Sequence, residues 1–256
     1  MLDRMGVMAG SRVLRLLRWG LAATALAIGA GGWWWLNPGE DLEAWRQGPP
    51  VRLWAALQRQ ESRWRDEGTR RHGENVYVPL SLISVDLQLA ALVNEDIDFF
   101  GHGPIDLDAV WEAVQEGTRP GGRIRGASTI SQQLARVLFL SSERTVWRKL
   151  KEARLAWWLE RRLGKRRILE LYLNVVEFGP GVFGAEAAAR HYYGVAARDL
   201  DVRQAAGLVA AIPSPGRDNP STATHRWQTR QVTVMRRVER AGWLRGRLEQ
   251  LTADGG

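Results

Sequence analysis

The chain contains no cysteine, which excludes a disulfide framework, a thiolate metal site and a thiol nucleophile. Histidine is scarce. The four present, His72, His102, His191 and His225, never stand at HxxxH or HExxH spacing, so the common signature of a zinc hydrolase is missing. Internal repeats and low-complexity tracts are absent, and the period-two alternation of half-buried strands is rare. The stretch "RGASTISQQLAR", Arg125 to Arg136, has no acidic residue at all.

What is there is an apolar, basic chain of 256 residues. Hydrophobic residues make up 45%, enough to fill the core of one good-sized domain. The formal charge of +8 and a pI near 10.6 point to an anionic partner: nucleic acid, a phospholipid surface or a phosphorylated small molecule.

Trp19 to Leu36 is an uncharged run of 18 residues. As a helix it would reach about 27 Å, close to the ~30 Å of a bilayer core. Arg4, Arg12, Arg15 and Arg18 precede it, and Glu40, Asp41 and Glu43 follow, so the positive-inside tendency predicts that the rest of the chain lies outside the cytoplasm. A cleaved signal peptide is the rival reading, given the small residues at 29–32, but Trp33, Trp34 and Trp35 directly after them suit a retained interfacial anchor. Either way the body is exported. The expected organisation is a basic cytoplasmic tail at 1–18, a transmembrane anchor at 19–36, a Pro- and Gly-broken connector at 37–50 and one domain at 51–256.

Helical periodicity dominates that domain. Leu82, Val85, Leu89, Leu92 and Val93 fall on one helical face, and Ile130, Leu134, Val137 and Leu138 on another. Turn clusters at "GHGPID", "RPGGRIRGA", "EFGPGVFG" and "IPSPGRDNP" separate the helices and adjoin the most unusual polar residues, which favours a site between helices. The basic, amphipathic tail from His225 to Leu251 reads as a closing surface helix.

In "ALVNEDIDFFGHG" an apolar helix ends in Glu95 and Asp96 and then meets Phe99, Phe100 and His102. A carboxylate beside rings can lose solvation and serve as a general base; a solvated acidic helix end is the plainer alternative. His102 suits a structural bond in the turn or proton transfer. In the acid-free stretch, Ser128 or Thr129 can cap a helix, Thr129 with Gln132 has capping-box spacing, and free N–H groups at such an end attract anions. Gln132, Gln133 and Arg136 lie off the apolar stripe, on a face suited to sugar hydroxyls and phosphate oxygens. An ordinary capped helix explains the hydroxyls equally well.

Arg144 to Arg167 carries ten basic and two acidic residues. At helical spacing Arg144, Arg148 and Glu152 form a row and Lys149 joins it, so cations surround one carboxylate and keep it ionised. Trp147, Leu150 and Trp157 are expected to mark the apolar, core-facing side. In "KRRILELYLN", Ile168, Leu169, Tyr172 and Leu173 face inward, while Glu170 and Asn174 brace neighbouring backbone or touch substrate. The alanines of "GVFGAEAAARHYYG" suggest close helix contact.

Taken in order, "EDIDFFGH", "GASTISQQLAR", "RKLKE", "KRRILELYLN" and "GVFGAEAAARHYYG" resemble the five motifs of the peptidoglycan glycosyltransferases of family 51, in their monofunctional form. The resemblance covers Val76 to about Pro220. It implies a mainly α fold, a lysozyme-like helical lobe with a smaller membrane-proximal jaw, behind the N-terminal transmembrane helix. It implies polymerisation of lipid II at the bacterial cytoplasmic membrane, on its outer side. Glu95 would be the general base on the acceptor 4-hydroxyl, and Glu152 the second acid at the leaving diphosphate. The resemblance places Arg136, Arg144, Arg148 and Lys149 at the pyrophosphate, with Ser128, Thr129, Gln132 and Gln133 beside them, and counts Asp96, Phe99 and His102 among the substrate-binding residues. The expected partners are lipid II, the growing glycan, the membrane and other cell-wall synthesis and division proteins, with no nucleic acid. No cofactor is demanded; a magnesium or manganese ion with the diphosphate is compatible with Glu152, although no metal-ligand spacing requires one. Arg136 replaces the usual lysine, Ala127 a glycine and Pro104 a frequent glycine. Neither SxxK nor KTG occurs, so no transpeptidase module is expected.

Two other readings stay open at this level. A membrane-anchored muramidase on the same scaffold would also use a glutamate, but would have no diphosphate to hold. A non-enzymatic, membrane-tethered binder of anionic lipid would need neither Glu95 nor Glu152.

Overall fold

The computed structural model describes residues 24, 26, 29–35, 37, 42, 45, 46, 53, 76–118, 128–140 and 145–253. The basic tail at 1–18, much of the expected anchor, Gly121, Gly122, Gly126 and Arg144 lie outside the described residues. The chain divides into two units, Met1–Asp41 and Leu42–Gly256. In the first, residues 29–35 are helical, and Asn37 closes the helix by donating its backbone N–H and its Nδ2 to the Trp33 carbonyl at 3.0 and 2.9 Å. Among the described residues no helix is long and apolar enough to cross a membrane.

The second unit is mainly helical: α1 (Val85–Glu95), α2 (Leu107–Thr118), α3 (Ile130–Phe139), α4 (Val146–Val175), α5 (Ala185–Tyr193), α6 (Val202–Ala211), α7 (His225–Arg240) and α8 (Gly242–Ala253). Among the described residues its β-structure is one antiparallel hairpin between α4 and α5, β1 (Glu177–Gly179) with β2 (Val182–Phe183), paired Glu177 to Phe183 and Gly179 to Val182. The core takes in Leu42 and Trp45, so part of the segment expected to be a free connector is packed into the domain.

Helix α1 is the central element. Ser84 caps it by accepting the Leu87 N–H, and every residue from Leu87 to Val93 is buried, the pattern of a helix surrounded by others. Helices α6, α7 and α8 pack against it. The expected face loses one member: Leu82 belongs to a preceding 3-10 turn, Leu80–Leu82, and is exposed. The buried Gln88 amide holds that turn by donating to the carbonyls of Leu80 and Ile83 at 3.1 and 2.8 Å. With its flanks fixed, α1 can carry functional groups at its end.

Helix α4 is broken at Gly164, whose φ of 75° and ψ of 162° interrupt the helix in a region few side chains tolerate. Beyond the break, Glu170 accepts the Leu80 N–H at 2.8 Å, and Asn174 exchanges bonds with both backbone groups of Val78 at 2.9 and 2.8 Å. Both residues therefore brace backbone. Gly184 opens α5 at φ 85°, and a Cβ there would stand 2.6 Å from the Asn174 carbonyl oxygen. Ala185, Ala187, Ala188 and Ala189 then bury the helix closely.

Before the break, the structure corrects the expected apolar side of α4. At 100° per residue, Arg148, Lys149, Glu152, Leu155, Ala156 and Leu159 share one face, and the last four are buried. Trp147, Leu150 and Trp157 fall on the opposite side; Trp147 is 54% and Leu150 47% exposed. The side facing the body is thus headed by the charge cluster of Arg148, Lys149 and Glu152. The closing tail is two helices rather than one, α7 and α8, meeting at Ala241.

Candidate active site

Two helix ends and one helix face converge. The end of α1 delivers Glu95 and Asp96, the start of α3 delivers Ser128 to Gln133, and the inner face of α4 delivers Arg148, Lys149 and Glu152. Thr129 is the cap of α3: its Oγ1 accepts the Gln132 N–H at 3.2 Å and donates to the Pro104 carbonyl at 2.8 Å. The Gln132 side chain accepts from Lys149 Nζ at 3.0 Å.

Asp96 links α1 to α3. Its Oδ2 accepts the Ile130 N–H at 2.9 Å, and its Oδ1 stands 2.5 Å from His102 Nε2. His102 Nδ1 lies 2.6 Å from the Gly103 carbonyl, which can only accept, so Nδ1 carries hydrogen. Burial raises the Asp96 carboxyl above its ordinary range, against the lowering by His102 and the Ile130 N–H. Burial would lower His102, but its bonds to Asp96 and to the Gly103 carbonyl outweigh that and raise it. Both shifts retain the proton within the pair. The start of α3 was expected to offer free N–H groups to an external anion; instead Ile130 donates to Asp96 and Gln132 to Thr129, so the protein's own carboxylate occupies that end. Phe99 is wholly buried, edge to face with Phe100 at 5.1 Å between ring centres, and its ring presents no surface to a ligand.

Glu95 is half-buried and clamped by two amides. Oε1 accepts from Asn94 Nδ2 at 2.7 Å and Oε2 from Gln133 Nε2 at 3.0 Å. The Gln133 carbonyl accepts from the hydroxyl of buried Tyr172 at 3.2 Å; burial, then the charge of Glu95, holds that phenol well above its ordinary value.

Glu152 is only 3% exposed and pairs with both Arg148 and Lys149. Lys149 Nζ donates at 2.9 Å to Glu152, 3.0 Å to Gln132 and 2.9 Å to Ser128, which uses all three of its hydrogens. Burial, then the charges of Arg148 and Arg136, lower its pKa. Cations crowded against one another in this way are relieved by an anion. Arg136, Arg148 and Lys149 line a cavity of about 500 Å³ together with Glu95, Glu152 and Gln133. A second cavity, of about 520 Å³, shares Asn94, Glu95 and Ser128 with the first and adds Asp98, Asp106 and Arg237. Glu95 therefore stands where the two meet.

Of the residues expected from sequence, Glu95, Glu152, Ser128, Gln132, Gln133, Arg136, Arg148 and Lys149 share the cationic cavity. Asp96 and Thr129 line the second cavity while tying the helix ends; His102 supports Asp96. Three contacts were missed. Asn94 had a faint signal, an amide closing an apolar run just before Glu95; Tyr172 read simply as core; Arg237 is one of many arginines on α7.

For a divalent ion the donor set is poor. Each Glu152 oxygen faces a cation, and among the described residues no group of three or more histidines or acids could hold a metal.

Comparison with known proteins adds a family. Residues 63–239 match the model of the Transglycosylase family. A biosynthetic peptidoglycan transglycosylase of Methylobacillus flagellatus is 53% identical over 139 residues, 54% of this chain and 61% of that protein. One of Nitrosospira multiformis is 48% identical over 151 residues, 59% of this chain and 66% of the relative. Another, of Herminiimonas arsenicoxydans, is 41% identical over 182 residues, 71% and 74% of the two chains. The chain thus spans somewhat under two thirds of the length of the first two relatives.

Proposed function

The chain belongs to the transglycosylase family, and on that premise we propose that it polymerises lipid II into glycan strands and releases undecaprenyl pyrophosphate. Glu95 takes the proton of the acceptor's 4-hydroxyl as that oxygen attacks the anomeric carbon of the growing strand. The bond from this carbon to the diphosphate oxygen breaks with its electron pair, and the diphosphate leaves as an anion. Arg136, Arg148 and Lys149 stabilise the charge that develops on it, in a partly dry cavity where such interactions are strong. Glu152 holds Arg148 and Lys149 in place. A magnesium or manganese ion would arrive with the diphosphate and add to the screening of its charge.

The observation that carries this reading is the shared cavity: one carboxylate clamped by neutral amides opposite three cations. A hydrolase of neutral glycosidic bonds has no use for those cations. The far face of α4 supports a membrane-facing jaw. There Val146, Trp147 and Leu150 are exposed, and Arg161 stands over the ring of Trp157 at 4.7 Å, the mixed aromatic and cationic chemistry of a lipid interface. With residues 19–36 as the anchor, the domain works on the outer side of a bacterial cytoplasmic membrane, where a lipid-borne substrate stays, and other cell-wall synthesis and division proteins are its expected neighbours.

The test is to incubate the full chain with lipid II and, separately, with finished cell wall. Uncrosslinked glycan from lipid II, lost in Glu95→Gln with an unchanged melting temperature, is the expected result. Soluble fragments released from finished wall, with no polymer from lipid II, would replace this reading with the muramidase.

A further inference from the structure

We infer that Arg237 and Asn94 form a positioning pair for Glu95, an inference that rests on the reading of Glu95 as the base. Asn94 Nδ2 donates to Glu95 Oε1 at 2.7 Å, and Arg237 Nη1 donates to Asn94 Oδ1 at 3.1 Å. A guanidinium can only donate. It therefore fixes the amide with its carbonyl toward α7 and its NH₂ toward the carboxylate. The other side of Glu95 is built in the same way, with the Tyr172 hydroxyl behind Gln133 and Gln133 behind Oε2. Each carboxylate oxygen is thus held by an amide, and each amide by a donor behind it. One of those donors is a buried phenol of α4. The other is an exposed arginine 143 positions along the chain, on a helix outside the family motifs.

The physical consequence concerns the base itself. A carboxylate held at both oxygens presents a fixed lone pair to an incoming hydroxyl, and a donor polarised by a cation holds it more firmly. Without Arg237 the Asn94 amide is free to rotate and turn its oxygen toward Oε1, where like partial charges repel. The charged and titratable groups around Glu95 are Asp96 beside it, Arg136 on α3, Tyr172, Arg148, Lys149 and Glu152 on α4, Asp98 and Asp106 in the loop after α1, and Arg237 on α7. All but Arg237 stay in place in the variant that tests the pair.

Two measurements on the full chain in detergent decide the matter. In steady-state polymerisation of lipid II, Arg237→Ala should lower kcat about tenfold, the effect of losing one hydrogen bond linked to a charged group, with KM within about twofold. Arg237→Lys, which can still donate, should recover most of the loss, and Arg237→Ala combined with Asn94→Ala should be no worse than Asn94→Ala alone. Independently of turnover, the side-chain amide resonance of Asn94, assigned by its loss in Asn94→Ala, should shift in Arg237→Ala and stay near its parent position in Arg237→Lys. An unchanged kcat or an unchanged Asn94 amide resonance in Arg237→Ala, or single losses that multiply in the double variant, overturns the pair. A parent chain that makes no glycan overturns the proposed function instead, and the resonance still decides the pair.

Discussion

Asp96 accepts the backbone N–H of Ile130 at 2.9 Å, so the residue that ends α1 also caps the first turn of α3. One carboxylate thereby sets the distance between the helix that carries Glu95 and the helix that carries Gln133. Asp96→Ala would leave the Ile130 N–H and His102 without their partner inside the fold. It should cost about 1–3 kcal/mol, read from urea denaturation, and Asp96→Asn, which keeps an acceptor, should cost less.

The same pair makes stability depend on pH. Because the folded-state pKa of His102 is raised, its bond contributes fully below the ordinary value of 6.5 and is lost as pH rises through the higher folded value. Asp96, also raised, has the same sign in a window that opens at its ordinary value of 3.8. The unfolding free energy should therefore fall as pH rises above about 6.5, and His102→Ala should flatten that part of the curve. A slope that persists in the variant would assign it to another group.

Gly184 and Gly194 separate strain from collision. Both have positive φ, 85° and 70°, but only Gly184 has an atom, the Asn174 carbonyl oxygen, where a Cβ would go. Gly194→Ala should cost about 1–2 kcal/mol. Gly184→Ala should exceed it by about 1 kcal/mol or more, measured by thermal melts of the two variants side by side.

Lys149 touches three acceptors, and its loss should act on turnover more than on folding. Lys149→Met should reduce kcat by about 10²–10³, the range for removing a donor that stabilises developing charge, in an assay of glycan formation from lipid II. Arg136→Lys keeps the charge at its place and should change kcat by no more than a few-fold.

Trp147 and Leu150 sit on the exposed face of α4, so replacing them should leave the melting temperature where it is. Binding to vesicles containing anionic lipid, measured by co-sedimentation of a chain starting at Leu42, should fall several-fold in Trp147→Glu with Leu150→Glu. This chain is the compact second unit.

Much of the site was legible because its residues are local in sequence. Glu95 and Asp96 are neighbours, Thr129 to Gln133 lie in one helix turn, and Arg148, Lys149 and Glu152 keep helical spacing, so periodicity alone predicts which of them can meet. The orientation of α4 was not legible in that way. Tryptophan and leucine read as core wherever they fall, and the decision to bury Glu152 and expose Trp147 depends on what stands opposite: Gln132 and Ser128 supply acceptors for the Lys149 ammonium that also pairs with Glu152. The anion site expected at the start of α3 misled for a related reason, since the carboxylate that fills it comes from 34 residues away.

By itself the sequence determined a cysteine-free, mainly helical, basic domain, the helices that carry its polar groups and the carboxylates and cations at their disposal, because helical spacing and capping are short-range effects. Only the tertiary structure decided which face of α4 turns inward, that Asp96 closes α3, and that Arg237 reaches Asn94 from α7. Those are contacts between distant segments, settled by which donor finds an acceptor once the core has brought the helices together, and no local pattern encodes them.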